Sequence, residues 1–215
     1  MLALEFPKQL PSFGRSATFI ALNDLTHYCL IAGAAWLLGY VLCKSAWRSR
    51  KIIAETPSGA DMRREATWSA LTVVIYGLVG ASTLALKKQG WTQVYTRVDD
   101  HGWGWFWGSI VVVIFVHDAY FYWTHRLMHH PRLFRFFHGV HHESRNPSPW
   151  AAYCFSPAEA AVQAGIFPLV ALTLPIHLGA FALFMLWQIT FNVAGHAGYE
   201  FHAKWLMDSW LGKFL

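Results

Sequence analysis

Residues 103–142 read WGWFWGSIVVVIFVHDAYFYWTHRLMHHPRLFRFFHGVHH, an apolar block that runs directly into a crowd of histidines. Residues 103–123 match one bilayer crossing, because about 20 helical residues at 1.5 Å each cover a hydrocarbon core about 30 Å thick. Seven of the chain's twelve histidines fall between His117 and His142. Whatever those imidazoles do is therefore done where a membrane span ends.

Two apolar blocks precede this one, at residues 25–43 and 66–86, and a longer one, 155–194, follows it. The last is too long for a single span and is interrupted by Pro168 and Pro175, which points to a helical hairpin that enters and leaves on one side. With 55% apolar and 13% charged residues, the chain lies far from soluble composition. Trp91, Trp103, Trp105 and Trp107 crowd around the start of the third block, as amphipathic rings do at a headgroup boundary. The expected fold is all-α, a multi-pass transmembrane helical bundle forming a single membrane domain over 1–215, with no internal repeat and no linker.

Charge sets the expected orientation. Lys44, Arg48, Arg50, Lys51, Arg63 and Arg64 gather between the first two blocks, and positive-inside reasoning puts this loop in the cytoplasm. The N-terminus is then outside, and two more crossings deliver the histidines, with the tail from Gly195 onward, to the cytoplasmic face. The net charge of +5 belongs to these membrane flanks, which argues against a nucleic-acid partner. The first 24 residues lack the pattern of a cleaved signal, so the first block is expected to direct insertion. Cys29, Cys43 and Cys154 are widely separated and form no C-x-x-C, which speaks against a disulfide framework or a zinc ribbon.

His125 and His129, four apart, project from one helical face. In His138-Gly139-Val140-His141-His142 the first two histidines share a face while the third points about 100° away, so one segment could serve two ions. A lone histidine here would be a side chain snorkelling to the interface. This many imidazoles beside a membrane are costly unless something satisfies their nitrogens, and a metal does so for several at once. Histidine sites without thiolates suit iron, zinc, copper or nickel. A catalytic zinc usually takes three protein ligands, fewer than are on offer, whereas two irons with positions left for oxygen would use most of them.

These residues resemble the fatty acid hydroxylase and sterol desaturase superfamily of membrane di-iron enzymes. The run from His117 to His129 is similar to that family's first histidine box with its aromatic approach, and His138-Gly139-Val140-His141-His142-Glu143-Ser144 to the second. Asn146-Pro147-Ser148-Pro149-Trp150 and Phe155-Ser156-Pro157-Ala158-Glu159 resemble the segment that follows, and Gly195-His196-Ala197-Gly198-Tyr199-Glu200 the motif before the last box. The resemblance implies two iron ions ligated by His125, His129, His138, His141, His142 and His196, with His117, Asp118, His130, Glu200 and His202 as further ligands or supporting groups.

It also implies hydroxylation or desaturation of a lipid, whether sterol, fatty acyl or related, with dioxygen as co-substrate. Electrons would come from an external electron-transfer protein or reductase, since no G-x-G-x-x-G unit or haem-attachment motif is present. The family carries a further H-H-x-x-H-H box beyond this motif. The sequence reaches Leu215 without one, so the C-terminal part carrying that box is expected to be missing and one iron to be short of ligands. Two alternatives stay open: a zinc-dependent membrane hydrolase with Glu143 or Glu200 as general base, and an inactive truncated paralogue acting as a non-catalytic membrane protein. His27 and His177, away from every cluster, are expected to tolerate Ala or Gln with modest effects on folding.

Overall fold

The computed structural model describes residues 12–210; residues 1–11, part of the stretch read for a signal segment, and 211–215 lie outside it. Among the described residues four helices are long and apolar enough to cross a membrane. Helix α1 spans Phe13–Trp36 and runs on through a π-helical turn, Leu37–Leu42. Helix α2 spans Gly59–Lys88 and α3 Gly102–Met128. A kinked pair follows, α4 (Pro157–Ala164) and α5 (Ile166–Thr173), and then α6, Leu178–His196.

The helices outrun the apolar blocks because polar residues also cap and extend them. Ser58 accepts the Asp61 N–H at 3.1 Å, and Lys87 and Lys88 occupy the last turn of α2; both ends complement the helix dipole. Arg63 and Arg64 are thus the first turns of α2 and not loop residues. Outward faces carry large apolar side chains such as Phe19, Leu30 and Phe115, the surface a bilayer would cover.

Helices α1 and α2 cross closely. A Cβ on Gly77 would lie 2.6 Å from the Ala17 carbonyl oxygen and 2.8 Å from the Ala21 methyl, so this contact depends on a residue without a side chain, as small-residue crossings in membranes do. The 155–194 block folds back as a hairpin whose descending arm is broken at Gly165, where the Tyr120 hydroxyl of α3 donates to the Val162 carbonyl at 2.6 Å. A Cβ at Gly165 would collide with that hydroxyl.

Two details fall outside an all-helical reading. Val94–Tyr95 (β1) pairs in parallel with Ile176–His177 (β2), in the register Val94↔Ile176; two residues per strand leave no periodicity to detect. His177 is buried there, accepting the Gly179 N–H on Nδ1 at 3.0 Å and donating from Nε2 to the Thr96 carbonyl at 2.9 Å. It caps α6 and ties it to the strand, contacts that its replacement would remove. His27 is exposed on α1 and bonds locally to the Asn23 carbonyl.

The core holds a short 3-10 helix, Pro149–Tyr153, and the two residues after it, buried almost throughout. Backbone carbonyls cannot be left unpaired in such a place. The Tyr28 hydroxyl and Ser69 hydroxyl donate to the Trp150 carbonyl at 2.7 and 2.9 Å, and the Asn192 amide to the Ala152 carbonyl at 2.8 Å. Glu65, fully buried, accepts the Ser148 hydroxyl at 2.5 Å. Polar residues inside apolar helices are thus explained by the segment they solvate.

The basic loop after α1 lies at the same end of the bundle as the histidines. Lys51 bridges Tyr199, the Ile52 N–H donates to the Gly198 carbonyl at 3.1 Å, and the Glu200 N–H to the Arg50 carbonyl at 2.8 Å. Tyr40 and Tyr199 complete the clasp, donating to the Ala197 and Gly39 carbonyls at 3.0 and 2.5 Å.

Candidate metal centre

Four elements bring the six principal histidines together. The last turns of α3 carry His125 and His129, the single turns Phe134–Phe137 and Gly139–His142 carry or flank His138, His141 and His142, and the end of α6 carries His196. The Ser156 hydroxyl bonds to the Phe136 and Phe137 carbonyls at 3.1 and 2.6 Å while capping α4 through the Glu159 N–H at 3.2 Å. That pin fixes where His138 begins.

The imidazoles form one contiguous cluster. His125 and His129 bring their Nε2 atoms to 3.1 Å, and with His138 they offer three nitrogens within 4.8 Å of one another. On the other side His141 and His196 bring their Nε2 atoms to 3.3 Å. His138 joins the halves: its ring centroid lies 4.4 Å from His125 and 5.2 Å from His141. His142 lies 5.0 Å from His129 and 4.7 Å from His138. His141 and His142 diverge, one turned to His196 and the other to His129, but His138, expected to share a face with His141, lies nearer to His142, at 4.7 against 5.2 Å.

The hydrogen bonds of the remaining ring nitrogens determine what the cluster can hold. His196 Nδ1 donates to the Asn192 carbonyl at 2.8 Å and His141 Nδ1 to the Cys154 carbonyl at 3.3 Å. A carbonyl only accepts, so each Nδ1 carries the proton and each Nε2 presents a lone pair. Two lone pairs facing each other at 3.3 Å repel unless a cation lies between or beside them.

For His138 the partner is a carboxyl group whose pKa burial raises to about 8, and a metal on Nε2 would leave the proton on Nδ1 with that carboxyl as its acceptor. His138 Nδ1 lies 2.7 Å from Glu159 Oε1, both side chains are buried, and His138 Nε2 has no hydrogen-bond partner among the described residues. His125 Nδ1 is likewise stranded. Burial lowers the pKa of His138 and His142 and, with His196 and His138 nearby, pushes His141 down to about 3. These rings are neutral at physiological pH, the form that ligates metal. An all-imidazole set with stranded or opposed lone pairs fits a first-row metal ion.

Glu159 is the site residue that the histidine spacing did not single out. A carboxylate bonded to the far nitrogen of a ligating histidine fixes its tautomer and orientation. The available signal was a lone acidic residue inside an apolar block, which usually marks function.

The supporting residues scatter. His117 is half-buried with Nδ1 3.4 Å from Asp118 Oδ1, and both border the same cavity as the cluster. His130 is exposed, and its ring accepts the Arg132 N–H at 3.3 Å. Glu200 Oε1 pairs with His202 Nδ1 at 2.9 Å, beside Arg50 and away from the imidazoles. Glu143 is exposed and faces Arg64 at 3.9 Å. Neither carboxylate proposed as a hydrolytic base borders the cavity.

That cavity, about 240 Å³, is lined on its other sides by apolar side chains including Phe121, Phe155, Phe184 and Phe191. His125, His138, His141 and His196 open directly onto these walls.

Comparison with known proteins agrees with this geometry. Residues 110–214 match the fatty acid hydroxylase family. The chain is 31% identical over 148 residues to a Delta(7)-sterol 5(6)-desaturase of Gibberella zeae, covering 68% of this chain and 45% of that protein. It is 31% identical over 103 residues to a Delta(7)-sterol 5(6)-desaturase of Aspergillus fumigatus, covering 48% and 32% of the two chains. With lathosterol oxidase of Rattus norvegicus it shares 26% over 138 residues, 61% and 46% of the two chains. The chain therefore spans less than half the length of these relatives. No solved structure matches significantly. The histidine motifs, the family match and these relatives together show that the chain belongs to the fatty acid hydroxylase and sterol desaturase superfamily.

Proposed function

We propose that this protein is a membrane di-iron oxygenase that desaturates or hydroxylates a sterol-type lipid, using dioxygen and electrons from an external donor. The observation that carries the reading is the opposed pair of Nε2 lone pairs on His141 and His196, 3.3 Å apart, set beside an apolar cavity in a chain with membrane-spanning helices. His125, His129, His138 and His142 would hold one ion, and His141 and His196 would contribute to the other. Iron bound there would supply the activation of dioxygen and the removal of hydrogen from an unactivated C–H bond.

The chain's own residues do the rest. Carbonyls of Asn192 and Cys154 hold the tautomers of His196 and His141, Glu159 holds His138, and the aromatic walls exclude water from the reacting segment. The substrate class follows the relatives, whose names describe sterol oxidation. Cytoplasmic placement of the cluster rests on the basic loop that shares its end of the bundle; a cysteine introduced at Ser144 should react only with reagents reaching the cytoplasmic side.

The central test loads the purified protein, as its full reading frame encodes it, with Fe(II) in nanodiscs and supplies a Delta(7)-sterol and a reductant. Oxygen uptake coupled to loss of two hydrogens or gain of one oxygen in the sterol is expected, and both stop in His141→Ala. Anaerobic turnover of a lipid ester with zinc alone would refute the reading.

A further inference from the structure

The metal cavity is too small for the molecule it is proposed to act on. At about 240 Å³ it falls below the 300–1,000 Å³ typical of pockets that enclose drug-sized ligands, so most of a lipid must lie elsewhere. A second cavity of about 670 Å³ lies next to it, walled by α1, α2, α5 and α6. The two share three lining residues, Tyr76, Phe167 and Met185.

The second chamber has the features of a lipid berth. Its walls are mainly apolar, and Phe19 of α1 and Leu183 and Leu186 of α6 line it while remaining exposed on the bundle's outer face, which opens it sideways toward the bilayer. Along α2 it extends from Tyr76 to Lys87, about 16 Å at 1.5 Å per residue. That is close to the depth of one leaflet's hydrocarbon, about half of the 30 Å core. At the far end Lys87 donates to the Val94 carbonyl, closing the chamber near the membrane surface. A tail seated there lies in mainly apolar surroundings, in the half of the bundle away from the histidines.

We infer that the aliphatic tail of the substrate lipid occupies this second chamber, entering between α1 and α6, while the segment to be oxidised passes the Tyr76–Phe167–Met185 constriction into the metal cavity. The inference rests on the lipid-oxygenase reading for what happens beyond the constriction, but not for occupancy of the chamber. Met185, the flexible member of the three, sets how wide a segment passes.

Photo-labelling tests this without turnover. The full protein in nanodiscs is irradiated with a sterol bearing a diazirine at the end of its side chain, and labelled peptides are mapped. Label competed by unmodified sterol is expected around Gly80, Leu84, Ala182 and Leu186. Ala182→Trp, which fills the chamber without touching a histidine, should lower that label about tenfold, the factor that corresponds to about 1.4 kcal/mol of lost affinity. Leu30→Trp, on the exposed face of α1, should leave it unchanged, and bound metal should be equal in all three proteins. Competed label at Phe121 or Phe191 instead, which would mean entry directly between α3 and α6, overturns the inference, as does the absence of competed label. A protein labelled in the chamber that never oxidises sterol would refute the proposed function and leave the chamber assignment standing.

Discussion

Glu159 offers the sharpest test of how the metal centre is built. Its carboxylate lies 2.7 Å from His138 Nδ1, and His138 and Glu159 are 1% and 0% exposed, so no solvent can replace either partner. In Glu159→Ala the buried Nδ1–H loses its acceptor, at about 1–3 kcal/mol. The ring is then free to move its proton to Nε2, which removes the lone pair that faces His125 and His129. Loss of such supporting carboxylates lowers metal affinity about 10–100-fold, and the complete burial here argues for the upper part of that range. Glu159→Gln keeps an acceptor oxygen in place and should lose less than about tenfold. The Ser156 cap of α4 uses the Glu159 backbone N–H and survives both changes. Anaerobic Fe(II) titration by calorimetry, with thermal melts of the metal-free proteins alongside, separates the roles. A carboxylate that only stabilises the fold would lower the melt and leave affinity alone, and an Ala variant binding Fe(II) within about twofold of wild type would refute the argument.

Three further outcomes are expected. Gly77→Val, which drives side-chain atoms into Ala17 and Ala21 of α1, should destabilise the α1–α2 crossing by roughly 1–3 kcal/mol, read as a lower thermal midpoint in detergent. His177→Ala should cost about 0.5–2 kcal/mol through the lost cap of α6, and His27→Ala very little, so the two melts should differ clearly. Measured against His141→Ala, the metal-free protein should lose stability as pH falls: His141 titrates near pH 3 when folded but near 6.5 when unfolded, so the unfolded chain binds the extra proton throughout that window. Its contribution is full above pH 6.5 and declines toward pH 3, while Glu159, raised to about 8 by burial, acts in the opposite sense in both proteins; a difference in urea midpoint between the two proteins that stays unchanged between pH 7.5 and 5.0 would contradict this.

What could be read in the sequence was local. Span length and the four-residue interval between His125 and His129 depend on neighbours along one helix, and the third apolar block and His125 sit together in α3, with His129 capping its end. Proline-marked interruption of the 155–194 block announced a hairpin, although its kink lies at Gly165, where the deciding contact comes from Tyr120 on another helix. Glu159 could not be assigned to His138 from sequence, because 21 residues and a buried turn separate them. The polar residues Ser69 and Asn192, inconspicuous within apolar helices, have a purpose only once residues 149–155 are seen to run through the core.

That buried segment makes fold and site inseparable. The Cys154 carbonyl that directs the proton of His141 is held by the same buried stretch whose Ala152 carbonyl depends on the Asn192 amide, and the Asn192 carbonyl in turn directs the proton of His196. Both rings whose Nε2 atoms oppose at 3.3 Å are therefore oriented through one residue on α6 and one segment inside the bundle. A sequence that needed only a stable membrane helix would place an apolar residue at position 192. Asparagine there, half-buried inside the bundle where an unpaired amide is costly, is explained by its partners, and those partners lead to the imidazoles. The orientation of both rings thus depends on a buried, polar-lined 3-10 segment, Pro149–Tyr153, inside the bundle.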